Sequence, residues 1–428
     1  MTTYAGRIYQ DGQLVKGVLH VEDGRITKIT KDGPADVDFG DHAILPGAID
    51  IHVHFRDPGA THKEDWLTGT TSAAFGGVTA VVDMPNTAPP TTTMKALKEK
   101  LALAEQKAVV DYAAWCGATW YLDDLPEMLQ YSPGIKIYLG ATTGDLLAED
   151  GNRVKEAIRI CGEAGKPVLL HCEAQRILDQ YRRTEQKLED HHTTRPPLAE
   201  VEAIYDIMKA LPGLKKVPPI HVCHIASADA VRAAQAAKFS RGVCPHHMLL
   251  DHVGCCEHSP GRGKMNPPLR DPAAREALWQ AFADGQIPIL ESDHAPHTQG
   301  EKDDQFHKIP AGVPGVETLL PVMLAKAHAG DVPLATVVDA VTKAPAALLG
   351  LNDRGALAPG MRADFAVYDV DAPKPVDEAS LHSKCGWSPF HGMDAVMPTH
   401  TYLAGEPVVA DGTLVAKPGS GQPLLPAP

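Results

Sequence analysis

The sequence predicts an α/β protein, a (β/α)8 barrel carrying a small β module built from both ends of the chain. Three observations predict it. From Gly47 to about residue 293, apolar strand-like runs alternate with helical stretches, the pattern of βα units on a parallel sheet. Eight such runs fit within about 250 residues, the usual size of a closed barrel. Outside that region the pattern changes to short strands separated by Asp-Gly turns.

In residues 1–46, Asp11-Gly12 and Asp23-Gly24 lie between alternating apolar runs, a hairpin signal, and helix-length patterns are missing. Barrel strands are expected at 48–54, 77–84, 109–117, 134–140, 167–173, 219–226, 241–246 and 287–293. Helices are expected at 94–107, 153–165, 198–210, 228–237 and 272–283, then at 316–329 and 334–349. A doubly wound open sheet is the alternative, but no GxGxxG follows the first strand. β and turn chemistry returns at 355–371, with a strand at 365–368 and a hairpin from 400 to Asp411-Gly412. The Pro/Gly-rich end from Lys417 reads as a loosely held tail. The expected divisions are 1–46 and 355–428 for the module and tail, and 47–354 for the barrel.

The hydrophobic fraction of 44% and charged fraction of 22% are ordinary for a soluble globular chain. A net charge of -14 disfavours nucleic acid and anionic membranes as partners. The start lacks the apolar core of a signal peptide, and no apolar run approaches the ~20 residues of a membrane span. A cytoplasmic setting follows, and so do reduced thiols for the eight cysteines, which show no framework spacing. Cys244, His246, His247, Cys255, Cys256 and His258 crowd one stretch, but no CxxC or HxxxH spacing supports a structural zinc site there.

A barrel gathers its chemistry at the C-terminal ends of its strands. The first strand ends in His52-Val53-His54, and positions i and i+2 of a strand share a face. An isolated HxH pair is more often structural than functional, so the other strand ends decide. The fourth strand carries Lys136 in an apolar run, the fifth ends at His171, the sixth at His224 and the eighth at Asp293. Imidazoles and a carboxylate converging in this way suit zinc or a similar borderline metal. Taken singly, His171 and His224 read as core histidines, Asp293 as a helix cap and Lys136 as a snorkelling lysine. An interior strand offers a lysine no water, however, and a neutral buried amine can capture carbon dioxide as a carbamate able to bridge two metals. Coincidence at five of eight strand ends is the weaker account.

These ligand positions resemble the amidohydrolase superfamily. Within it, His54-Phe55-Arg56-Asp57-Pro58-Gly59, Asp83-Met84-Pro85-Asn86-Thr87 and Asp293-His294-Ala295-Pro296-His297 resemble the dihydroorotases. Asn266-Pro267-Pro268-Leu269-Arg270, Gly315-Val316-Glu317-Thr318 and Cys385-Gly386-Trp387-Ser388-Pro389-Phe390 extend the likeness from about residue 6 to 413. The resemblance implies a zinc enzyme interconverting L-dihydroorotate and N-carbamoyl-L-aspartate in pyrimidine synthesis. It implies one zinc on His52, His54 and Asp293, a second on His171 and His224, and carboxylated Lys136 between them. Asp293 would act as general base and then general acid. Arg56 and Asn86 would bind the substrate carboxylate, with His297 close to it and Asn266 near the ring. A guanidinium fork suits a planar carboxylate independently of any family. Thr142-Thr143 follow the fourth strand, where some relatives carry a mobile loop.

Some dihydroorotases bridge their metals with an aspartate, for which Asp150 is the counterpart here, and some employ one metal. Hydantoinase, dihydropyrimidinase and allantoinase share the metal ligands but act on rings without the carboxylate. A non-catalytic scaffold is the remaining reading. The expected partner is a small-molecule substrate, and self-association into a homo-oligomer stays open.

Overall fold

The computed structural model describes residues 1–118, 121–144, 146–148, 150–256 and 259–425. Short parallel strands form the barrel: β5 (Ala48–Val53), β6 (Val78–Asp83), β7 (Asp111–Ala114), β8 (Cys116–Gly117), β9 (Ile135–Tyr138), β10 (Val168–His171), β11 (Ile220–Val222), β12 (Ser240–Val243) and β13 (Ile289–Leu290). They follow β1 (Thr2–Gln10), β2 (Gln13–Glu22), β3 (Arg25–Thr30) and β4 (Val37–Pro46). β5-β6-β7 and β8 through β13 are the two hydrogen-bonded runs of the barrel. β7 and β8 occupy one strand position, interrupted at Trp115, whose indole Nε1 donates to the Ile51 carbonyl at 2.8 Å. Val53 bridges His294 in parallel, which joins the eighth position to the first. The expected eight-position (β/α)8 barrel is therefore present.

The barrel interior follows the two-residue period of its strands. Ile49, Ile51, Ala80, Val82, Ala113, Trp115, Leu169, Cys223 and Ile289 pack together as one buried cluster. Their neighbours Ala48, Val53, Val78, Val81, Ile135, Ile137, Val168 and Leu170 pack into a second cluster with the surrounding helices. Lys136, between Ile135 and Ile137, consequently points inward. Helix Trp66–Phe75 was not anticipated; Asp65 and Thr68 start it with a capping box. The helical run expected at 334–349 divides into Leu334–Val341 and Lys343–Leu349. Pro345 in the first turn of the second helix supplies no amide donor to a continuous helix.

After the barrel come β14 (Phe365–Tyr368), β15 (Lys374–Pro375), β16 (Asp394–Ala395), β17 (Pro398–Leu403), β18 (Glu406–Ala410) and β19 (Thr413–Leu414). Eight strands from both ends form one sheet in the order β19-β18-β17-β14-β4-β1-β2-β3. β4 pairs in parallel with β1 and antiparallel with β14, so the early and late segments meet at that strand. The tail departs from expectation. Tyr112 N donates to Gln422 O at 3.0 Å and Leu424 N to Tyr112 O at 2.8 Å, so residues 422–424 lie along β7. Asp111 Oδ1 also accepts from Gln422 N at 2.9 Å. Backbone groups at the strand edge, invisible to composition, hold this part of the tail down. Among the described residues, no helix is long and apolar enough to cross a membrane.

Candidate metal centre and substrate cleft

His52, Lys136 and His171 lie within their strands, whereas His54, His224 and Asp293 sit just beyond theirs, where the backbone turns. Arg56, His224 and Asp293 all adopt positive φ, at 61°, 38° and 44°. Non-glycine residues seldom occupy that region, and such conformations gather at functional sites. The first strand carries an irregularity of its own. Simple alternation would send Ile51 and His52 to opposite faces, and the pairing with β6 shifts register between Asp50 and Val53. His52 and His54 both reach the mouth of the barrel.

There, His54 Nε2 lies 3.0 Å and His52 Nε2 3.3 Å from the same oxygen, Asp293 Oδ1. On the opposite side His171 Nδ1 and His224 Nε2 are 3.2 Å apart. Ligands about 2.0 Å from a tetrahedral centre stand roughly 3.3 Å apart, so both groupings have the spacing of a coordination edge. Burial is the largest influence lowering the pKa of His52, to about 4, and it also lowers His54, His171 and His224. The rings are thereby kept in the neutral form that ligates metals. Burial opposes ionisation of Asp293, but His52 and His54 outweigh it and hold the carboxyl well below its ordinary range.

Groups behind the ligands set which ring nitrogen faces inward. His52 Nδ1 donates to Glu291 Oε2 at 3.1 Å, His54 Nδ1 to Asn86 Oδ1 at 2.7 Å, and His171 Nε2 to Glu173 Oε2 at 2.9 Å. In each case the remaining nitrogen is free to ligate, the usual support for a metal-bound histidine. Glu173 is in turn held by Arg195, whose Nε lies 3.0 Å from Oε1. Glu291 also accepts the backbone N–H of His224. Lys136 is fully buried, its Nζ 5.4 Å from the centre of the Tyr138 ring and without a hydrogen-bond partner among the described residues. An orphaned amine beside four imidazoles and a carboxylate is the donor set that a carbamate-bridged metal pair requires, and the residues fit that group.

Beside this cluster opens a narrow, mostly polar-lined cleft. His52, His54, His171, His224 and Asp293 line it, with Arg56, Asn86 and Asn266. Tyr138, Thr142 and Thr143 complete much of the wall. Lys136 and His297 lie behind it. Arg56 makes no ion pair with Asp57, which takes Lys107 at 2.6 Å. Its Nη2 approaches His297 Nε2 at 3.3 Å, and its Nε is buried without a hydrogen-bond partner among the described residues. Asn86 Nδ2 donates to Thr143 O at 2.8 Å and Asn266 Nδ2 to Thr142 Oγ1 at 3.3 Å, tying the Thr142-Thr143 loop to the site. Asp150 stands apart as the N-cap of helix Gly151–Ala164, accepting from Asn152 N at 2.8 Å.

Glu291, Glu173 and Tyr138 belong to this arrangement but were not singled out from the sequence. Their signal was proximity: Glu291 precedes Asp293 by two residues, and Glu173 follows His171 by two. Of the crowded cysteine and histidine stretch, Cys244, His246 and His247 come together. Cys255 and Cys256 do not join them, and His258 lies outside the described residues.

The chain matches the model of the amidohydrolase family over residues 43–408 and belongs to that family. Its curated relatives sharpen the likeness. Dihydroorotase from Methanosarcina acetivorans is 36% identical over 97% of this chain and 93% of its own. Dihydroorotase from Halobacterium salinarum is 38% identical over 90% of each. Among solved structures, L-hydantoinase from Arthrobacter aurescens superposes with a TM-score of 0.94 at 26% identity, covering both chains in full. Dihydropyrimidinase from Brevibacillus agri gives 0.89 at 25%, covering 99% and 98%.

Proposed function

We propose that this hydrolase of cyclic amides interconverts L-dihydroorotate and N-carbamoyl-L-aspartate. The observation that carries the reading is Arg56, a buried guanidinium with an unpartnered Nε on the cleft wall beside the His/Asp cluster. A buried charge lacking a carboxylate partner is matched by a substrate that brings one. Relatives named dihydroorotase, alike along nearly the whole chain, support the same substrate.

In this reading His52, His54 and Asp293 would hold one zinc and His171 and His224 a second, with carboxylated Lys136 as a further ligand. Carboxylation joins Lys136 Nζ to the carbon of carbon dioxide and releases one proton. Bound there, the metals supply Lewis acidity toward the ring carbonyl and lower the pKa of water. Asp293 takes the proton of the attacking water and delivers it to the leaving ring nitrogen, and in ring closure it works in reverse. Arg56 grips the ring carboxylate, with His297 packed behind it. Asn86 fixes the His54 tautomer while facing the same carboxylate, and Asn266 faces the ring. Residues 47–354 supply the catalytic barrel; 1–46 and 355–428 supply the supporting module and the tail. The acidic net charge supports a small-molecule partner and neither nucleic acid nor membrane, and the eight scattered cysteines without framework spacing support a cytoplasmic setting, with self-association into a homo-oligomer left open.

A substrate panel with metal analysis on the same sample tests this. Dihydroorotate is the ring expected to open, with two zinc ions per chain. Inert dihydroorotate with turnover of hydantoin, dihydrouracil or allantoin would transfer the chain to another cyclic amidase. No turnover and no bound zinc after supply of zinc and bicarbonate would leave a scaffold.

A further inference from the structure

We infer that Cys244, His246 and His247 form an additional metal site, distinct from the ligands around the cleft and suited to zinc. β12 ends at Val243, and the next four residues are Cys-Pro-His-His. The short helix Pro245–Leu249 begins there and folds the three donor side chains toward one another. One donor atom from each lies within 4.8 Å of the other two, and all three residues are buried, at 0%, 1% and 3% exposure.

The hydrogen bonding around the two imidazoles points to a ligand. His247 Nε2 lies 2.9 Å from the Pro267 carbonyl, which can only accept, so Nε2 carries the proton and Nδ1 presents a lone pair. That Nδ1 is buried and has no partner among the described residues. Metal-bound histidines are held in this way, one nitrogen donating to a carbonyl and the other free. His246 goes further: both ring nitrogens are buried and unpartnered among the described residues. Buried polar atoms are nearly always satisfied, so three orphaned nitrogens beside one thiol mark a place built for a ligand. A neutral hydrogen-bonding guest would need a donor for each lone pair, whereas one cation accepts a lone pair from each imidazole and from the thiolate together. Sulfur with imidazole selects zinc, or cobalt as its surrogate, over magnesium and calcium. Binding exchanges the thiol proton of Cys244 for the metal, with the proton passing to solvent.

None of the three residues lines the cleft. The ligands assigned to the main centre contain no sulfur, which makes the two sites separable by spectroscopy. Full-length protein stripped of metal and reloaded with cobalt should show a thiolate-to-cobalt charge-transfer band in the near ultraviolet. It should also hold one equivalent of metal beyond that of the main centre. C244S should lose both the band and one equivalent, and H247Q should lose the same equivalent without touching the thiol. C223S should keep both; Cys223 is the control because it groups with His52 and Glu291. No band in the parent protein, or a band that survives C244S and vanishes in C223S, would overturn the assignment. Because the readout is absorbance and metal content, failure of this site and failure of the proposed ring chemistry are distinguishable.

Discussion

Lys136 and Arg56 are two buried cations near one cleft with opposite requirements. Lys136 lacks a partner and its chemistry requires modification, whereas Arg56 needs a ligand's charge. Lys136→Ala should therefore lose most bound metal and activity, with partial return on adding short carboxylic acids; full activity in that variant would move the bridge elsewhere. Arg56→Ala should raise KM by about 10- to 100-fold with a smaller change in kcat, the effect of losing a charged hydrogen bond to substrate. An unchanged KM would remove Arg56 from the substrate site. Gly242 tests the support behind the ligands. A Cβ there would meet Glu291 Oε1 at 2.3 Å and His221 Nε2 at 2.7 Å. Gly242→Ala should displace the carboxylate that orients His52 and weaken metal binding by about 10- to 100-fold, measured by chelator competition.

At the scale of elements, helix Leu188–Thr194 links Glu185 to Asn266 of the cleft wall through His191. His191 Nε2 reaches Asn266 Oδ1 at 3.0 Å, and its Nδ1 pairs with Glu185 at 3.0 Å. Burial opposes ionisation of Glu185, but His191, Thr194 and Lys264 together lower its pKa from 4.5 to about 2. A carboxyl depressed in the folded state contributes stability that is complete above pH 4.5 and lost as the pH falls through about 2. Glu185→Gln should thus flatten the acid side of the unfolding profile in that window, followed by circular dichroism; an unaltered profile would contradict this pairing. At the same scale the sequence was most readable in the strands. Periodicity located every barrel position, yet β13 spans only Ile289–Leu290, because the residues after it turn to present Asp293. Period alone cannot register where a backbone leaves its ladder.

For the molecule as a whole, the joint between module and barrel combines a shared apolar core with an ionic cluster. Asp111 at the base of β7 accepts Arg354 at 2.6 Å and Arg362 at 3.0 Å, and both arginines also hold Asp364. Asp111 is fully buried. Asp111→Asn leaves two largely buried guanidiniums without their fully buried partner and should cost about 3–5 kcal/mol, read from denaturant midpoints. A midpoint within error of the parent would place the joint elsewhere. The same aspartate anchors Gln422, which helps hold residues 422–424 along β7.

The sequence alone determined the alternation of strands and helices, the β segments at both ends, and the set of histidines, lysine and aspartate that identifies the chemistry. Those properties are local: side-chain period, turn residues and residue type are written in consecutive positions. Tertiary structure decided what depends on contacts between distant strands. It turned His52 toward the mouth through a register shift, set Glu291 and Glu173 behind the imidazoles, left Arg56 without a protein carboxylate, and folded Cys244 onto His246 and His247. Burial and hydrogen-bond partnership arise only when the barrel closes, and they separate an ionisable residue that ligates or binds from one that merely supports.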